Sequence, residues 1–286
     1  MSQPKHLSPG QYYGEILSNQ RCCDLVLTEI RHTQGKSFAT HSHELAFFSL
    51  LLDGSYTERC GRKAIDYKQL MVVYRPSGMT HSDEIGRSGV RLFNVEVKES
   101  WLERMRQYGP VDNLSFEPYG GELSWLAARL YRAFRDKDPY SPLAIEGLIL
   151  EMLATLNRNS NAIDKQAPGW LSRVRDLLHS EYANGISISR IADEVGVHPY
   201  YVSKAFRKFQ NQTIAEYIQD LRINYASREL LKPEAALSDV ALAAGFTDQS
   251  HMTRIFKRVT GMTPGAFRSA FITSHGPPLA EPESEP

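Results

Sequence analysis

The sequence predicts an α+β chain: a β-barrel, then a helical hairpin, then an all-α domain built on two helix-turn-helix units. Three observations lead there. Residues 24–97 break short apolar runs with Gly, Asp, Ser and Pro. From Leu123 onward the apolar period lengthens to that of a helix. After Trp170 a unit of helix, glycine and helix occurs twice, offset by 49 to 50 residues.

The apolar runs CDLVLTEI, LAFFSLLL, QLMVVYRP and VRLFNVEV read as strands. Several short strands at close spacing indicate a sandwich or barrel, here a domain over 1–121. Leu123, Leu126, Leu130 and Phe134 then form one helical stripe. A second helix, 142–157, is apolar nearly all round, through Leu143, Ile145, Leu148, Ile149, Met152 and Leu156. A hairpin over 122–158 therefore needs burial on more than one side, either against the barrel or in a homodimer. The polar stretch 159–168, ending in Ala-Pro, reads as a linker to a domain at 169–272. The Pro- and Glu-rich end, 273–286, reads as a disordered acidic tail.

Charge is uneven along the chain. Overall 33 basic residues balance 33 acidic ones, yet residues 169–271 carry 13 Lys and Arg against 10 Asp and Glu, a net of +3. Glu281, Glu283 and Glu285 make the tail acidic. Cys22, Cys23 and Cys60 show no C-x-x-C spacing, which suits a reducing compartment and small core residues rather than a disulfide framework. The first residues lack the apolar segment of a signal peptide, and no apolar run approaches the roughly 20 residues of a membrane span. These features predict a soluble protein of the bacterial cytoplasm.

The repeated unit aligns Ile191-Ala192 with Val240-Ala241, Gly196 with Gly245, Val202 with Met252, Phe206 with Phe256 and Tyr217 with Phe267. In each copy a short helix (189–194; 238–243) stops near glycine, which accepts the left-handed conformation of a helix end. A second helix (198–209; 248–259) starts at once. Pro199 suits a first turn, and Thr247 or Asp248 can cap the later copy. The inner faces are apolar, whereas the outer faces carry Tyr200, Ser203, Lys204 and Arg207, or Gln249, Ser250, Thr253, Arg254 and Lys257. Such side chains can hydrogen-bond base edges and phosphates of double-stranded DNA. A helix over 214–231, with Ile214, Ile218, Leu221, Tyr225 and Leu230 to pack, would hold the two reading helices apart. Two such heads can address major-groove faces about 34 Å apart.

Residues 187–268 resemble the DNA-binding domain of AraC/XylS-type regulators. The likeness lies in ISRIADEVGV, VSKAFRKF, IQDLRINYASRELL, DVALAAGFTDQSHMTRIFKRVTGMTP and the closing AFR. It implies a seven-helix domain, recruitment or exclusion of RNA polymerase, and an effector-responsive partner domain. By position, base reading would fall on Tyr200, Ser203 and Lys204, and on Gln249, Ser250, Thr253 and Arg254. Asn211 stands where glycine is usual, His198 replaces a serine cap, and Met252 replaces phenylalanine.

Before the linker, His41 and His43 stand two apart, so on a strand they point to one side. With Gly35, Gly54 and Pro76-Ser-Gly78-Met-Thr-His81, they resemble the two signatures of a cupin barrel. The resemblance implies that His41, His43 and His81 converge on a divalent metal: zinc, nickel, iron or copper. Phe47 or Phe48 occupies the place of the usual metal-binding glutamate. A pocket for an organic effector is the other expectation for these histidines. A sequence-specific transcription regulator controlled by a small molecule or metal follows; a metal-dependent enzyme fused to a DNA-binding module is the alternative.

Overall fold

Central strands buried on both faces, with more exposed strands beside them, build one curled sheet from β1 (Lys5–Leu7), β2 (Glu15–Cys22), β3 (Leu25–His32), β4 (Ser37–His43), β5 (Ala46–Cys60), β6 (Lys63–Lys68), β7 (Val72–Arg75) and β8 (His81–Val97). The structure is a computed structural model that describes residues 5–109, 111, 121–162, 167–232 and 234–272. Residues 163–166 of the expected linker and the expected acidic tail lie outside the described residues. Strands β5 and β8 form the spine, paired from Ala46 opposite Val97 to Arg59 opposite Ser82. The other edge of β8 takes β4 near its start and β3 near its end. A bulge in β5 between Leu51 and Asp53, and extra residues in β8 between Ile85 and Val90 opposite Gly54 and Tyr56, bend this pair, so the sheet becomes a half-barrel. Read as separate short runs, β5 and β8 are in fact strands of 15 and 17 residues, because a bulge lets pairing continue through a bend.

Opposite faces of the sheet do different things. Ile30, Leu51, Tyr56, Val73, Ile85 and Leu92 pack together on the inner face. Leu27, Phe48, Leu50, Leu52, Phe93 and Val95 join the helices on the outer face. A short helix unforeseen in the sequence, α1 (Glu99–Met105), buries only Trp101 and Leu102, too few positions to show a period. Cys22 is buried, but Cys23 is exposed at φ +51° in the β2–β3 turn, and Cys60 is half-buried. The expectation of three core cysteines is corrected for Cys23, which the tight turn directs outward.

Helix α2 (Glu122–Asp136) buries the stripe of Leu123, Leu126, Leu130 and Phe134, and its Tyr131 and Phe134 rings lie 5.2 and 4.9 Å from Phe93. Helix α3 (Ser141–Ala162) packs beside it. It runs to Ala162, past the expected linker start at 159, because no Gly or Pro interrupts the chain there. Pairing of α3 with α2 and the sheet leaves Leu143 75% and Leu150 40% exposed, so the helix is not buried all round.

Seven helices follow: α4 (Trp170–Glu181), α5 (Ile188–Val195), α6 (Pro199–Gln210), α7 (Ile214–Leu230), α8 (Leu237–Ala243), α9 (Gln249–Thr260) and α10 (Pro264–Ile272). They divide between two cores. Leu171, Val174, Leu178, Ile191, Val202 and Phe206 form a core of their own. Met252, Ile255, Phe256, Phe267 and Phe271 instead continue the core of α2, α3 and the outer sheet face. Trp125 of α2 is the hinge pin, its ring 6.4 Å from Phe256 and 6.2 Å from Phe267. Helix α7, opened by a capping box of Thr213 and Glu216, serves both cores. Its Ile214, Ile218 and Leu221 pack half-buried on the first, and Ile223, Ala226 and Leu230 are buried in the second. Among the described residues no helix is long and apolar enough to cross a membrane.

Candidate functional site

Local capping chemistry starts the helices of both helix-turn-helix units. Ser187 accepts the Arg190 N–H at the start of α5, and Nδ1 of His198 accepts the Tyr200 N–H at 3.3 Å at the start of α6. Asp248 caps α9 by accepting the His251 N–H at 2.7 Å, so the cap is Asp248 and not Thr247. Asn211 takes φ +60°, the left-handed value that asparagine tolerates, and ends α6 where glycine is usual in the resembling family.

Both units turn at a glycine, but the two turns differ. Gly196 has φ +69° and open space where a Cβ would lie; Gly245 has φ +84°, and a Cβ there would meet the Ala183 carbonyl oxygen at 2.4 Å. Gly196→Ala should therefore cost about 1–2 kcal/mol for the left-handed conformation alone. Gly245→Ala adds a backbone clash and should exceed about 3 kcal/mol. Urea unfolding of the full chain measures both; equal costs would show that the turn at Ala183, just after α4, yields freely.

On α6, Val202 and Phe206 are buried, while Tyr200, Ser203, Lys204 and Arg207 are exposed. On α9, Met252, Ile255 and Phe256 are buried, while Gln249, Ser250, Arg254 and Lys257 are exposed; Thr253 is half-buried. Lys204 lies 5.8 Å from the centre of the Tyr200 ring. Among the described residues, no ion pair engages Lys204, Arg207, Arg254 or Lys257, so their charge faces solvent. Tyr201, 61% exposed beside Tyr200, also belongs to this surface. Sequence reasoning passed over it, although its position one residue into the same helical turn was signal enough.

The second candidate site lies on the inner face of the sheet. His41 and His81 are direct register partners of β4 and β8, and His43 follows on the same face. Their ring centroids are 4.3 Å apart for His41 and His81, and 5.4 and 5.5 Å from His43. All three are buried, with ligand nitrogens within 4.8 Å of one another. Two carboxylates missed in the sequence join them. Asp83 lies two residues beyond His81, hence on the same strand face, and its Oδ2 is 3.7 Å from His41 Nε2 and 3.9 Å from His81 Nε2. Glu58 is the register partner of Asp83 across β5 and β8 and forms a buried ion pair with Arg75. Phe47, in place of a glutamate, lays its ring 4.7 Å from that of His43.

Burial governs the charge states here. It holds the His43 imidazole down to about 3, helped by His81 and His41, and the His81 imidazole down to about 4. His41 is lowered for the same reason. Asp83 is pushed up to about 8 by burial and then by the Glu58 carboxylate. The cavity is lined further by Tyr12, His32, Ser49, Asn94 and apolar side chains including Ile30 and Leu92. Neutral imidazoles, carboxylates and apolar walls suit either a coordinated cation or a small polar ligand.

A family model described as a helix-turn-helix domain matches residues 191–270. YobQ of Bacillus subtilis (strain 168), an uncharacterized HTH-type transcriptional regulator, is 35% identical over 244 residues, covering 85% of this chain and 94% of that protein. AdaA of the same organism, a bifunctional transcriptional activator and DNA repair enzyme, is 27% identical over 99 residues, 35% of this chain and 47% of that one. The chain thus spans about half the length of some relatives, the Msm operon regulatory protein of Streptococcus mutans at 44% being another. Among solved structures, ToxT from Vibrio cholerae O395 aligns with a TM-score of 0.39 and 12% identity, over 87% of this chain and 98% of that one.

Proposed function

Because this chain belongs to the AraC family of helix-turn-helix transcription regulators, we propose that it reads operator DNA through α6 and α9 under control of the cavity in its sheet domain. One observation carries this reading: two helices, joined by a third that enters both cores, each hold an unpaired polar and basic face over a buried apolar one. Insertion in the major groove uses the exposed face, while the buried face fixes its orientation. RNA polymerase, a small-molecule or metal effector, and a second copy of the chain are the further partners. The exposed Leu143 and Leu150 of α3 support the homodimer. Reading operator DNA fits a protein of the bacterial cytoplasm. The cavity acts as a switch rather than a catalytic centre, in line with the regulators among its relatives.

The wall between cavity and reading unit gives the switch a route. Ile30 and Leu92 face the cavity, whereas the neighbouring Glu29 and Arg91 face the helices. Arg91 Nη1 is 3.3 Å from Glu29, and Arg91 Nη2 donates to the Phe271 carbonyl at the end of α10 at 2.9 Å. Glu29 also lies 3.5 Å from Arg135 of α2. An effector that fits one arrangement of this wall better than another shifts the population of domain arrangements.

Footprinting and a salt titration with the full chain test the proposal. One chain should protect two major-groove faces about one turn apart, and a dimer two such pairs. Affinity should fall steeply with salt as phosphate counterions are released. Binding indifferent to salt, or protection of a single groove face, would overturn the double-headed arrangement.

A further inference from the structure

The histidines of the cavity are oriented by their own strands. Nδ1 of His41 lies 3.0 Å from the Ala39 carbonyl oxygen, and Nδ1 of His81 lies 3.4 Å from that of Met79. Donation to a carbonyl requires the proton on Nδ1, which leaves the Nε2 lone pairs free. Both Nε2 atoms face Oδ2 of Asp83, and a carboxyl group has at most one proton, enough for only one of them. A buried acceptor left without a donor is costly inside a protein. His43 adds to the imbalance: it is 4% exposed, lines the same cavity, and its Nδ1 has no hydrogen-bond partner among the described residues. Oδ1 of Asp83 is likewise without one. Glu58 is paired with Arg75, and among the described residues Asp83 forms no ion pair with a Lys or Arg, only the approaches to His41 and His81.

The geometry points to one divalent transition-metal ion held by Nε2 of His41, Nε2 of His81, a ring nitrogen of His43 and the carboxylate of Asp83. Metal bonds of about 2.0–2.2 Å place tetrahedral donors roughly 3.3–3.5 Å apart. The observed nitrogen-to-oxygen separations of 3.7 and 3.9 Å contract to that with small side-chain movements. Three imidazoles and one carboxylate select zinc, iron(II), nickel or copper over magnesium and calcium, which prefer all-oxygen shells. The carboxylate comes from β8, two residues beyond His81, because Phe47 fills the space on β5 beside His43. The inference deepens the regulatory reading and rests on it for the cavity's role as a switch, naming the metal ion as its occupant.

Cobalt(II) and copper(II) added to chelator-treated full-length protein test the site. Cobalt should saturate at one ion per chain with visible ligand-field bands. Asp83→Asn and His43→Gln should each weaken its binding at least about tenfold, and Asp83→Asn should also move the bands. Electron paramagnetic resonance of the copper-loaded wild type needs no variant and should show splitting from coordinated nitrogens. Absence of both the bands and the nitrogen splitting in wild type overturns the site, as does undiminished cobalt binding in both variants. Operator binding on the same preparations separates the two ideas. Failure to bind metal with salt-sensitive operator binding retained sinks the metal site alone, and metal bound with no operator binding in any metal state sinks the regulatory reading.

Discussion

Trp125→Ala should lower the stability of the chain by about 3–5 kcal/mol, the cost of emptying a large buried aromatic site. Trp125 is only 3% exposed and sits against the rings of Phe256 and Phe267, on the helix α2 that packs on the sheet. Its loss opens a void where the second reading unit joins the sheet domain. The first reading unit keeps its separate core around Val174 and Phe206 and should be affected less. Hydrogen exchange should therefore show α9 and α10 losing protection before α4 to α6. A destabilisation under about 1 kcal/mol, with protection of α9 unchanged, would mean that the seam is loosely packed in solution.

Lys204→Ala and Arg254→Ala should each weaken operator binding by about 1–3 kcal/mol, and the double variant by roughly 2–6 kcal/mol. Additivity is expected because the two side chains lie on helices with different cores and share no partner. At the lower bound the combined loss is about thirtyfold in dissociation constant. Fluorescence anisotropy on the operator and on random duplex decides the roles. A loss confined to the operator marks base reading, and an equal loss on both marks phosphate contact. A double variant no worse than either single one would contradict two heads engaged together.

Much of the proposed DNA-reading surface is legible in the sequence because its determinants are local. Helical spacing alone separates Val202 and Phe206 from Lys204 and Arg207, and all four lie as that spacing requires. The histidine site is legible in part. Period-two alternation groups His41 with His43, and the same rule applied once more to β8 would have added Asp83 to His81. Glu58 could not be added that way. It reaches Asp83 only through the pairing of β5 with β8, whose register depends on bulges that leave no simple mark in composition.

Local pattern along the chain accounts for the order of strands before helices, the doubled turn at Gly196 and Gly245, and the side chains that α6 and α9 turn outward. Each follows from propensity and periodicity within one stretch of chain. Long-range packing, by contrast, sets the second helix-turn-helix unit in a core shared with the sheet domain and the first in a core of its own. Phe256 and Phe267 carry the same local amphipathic pattern as Phe206 and Tyr217, and what distinguishes them is Trp125 more than a hundred residues earlier. Burial is non-directional, so an apolar stripe specifies that it must be covered, and the rest of the fold supplies what covers it.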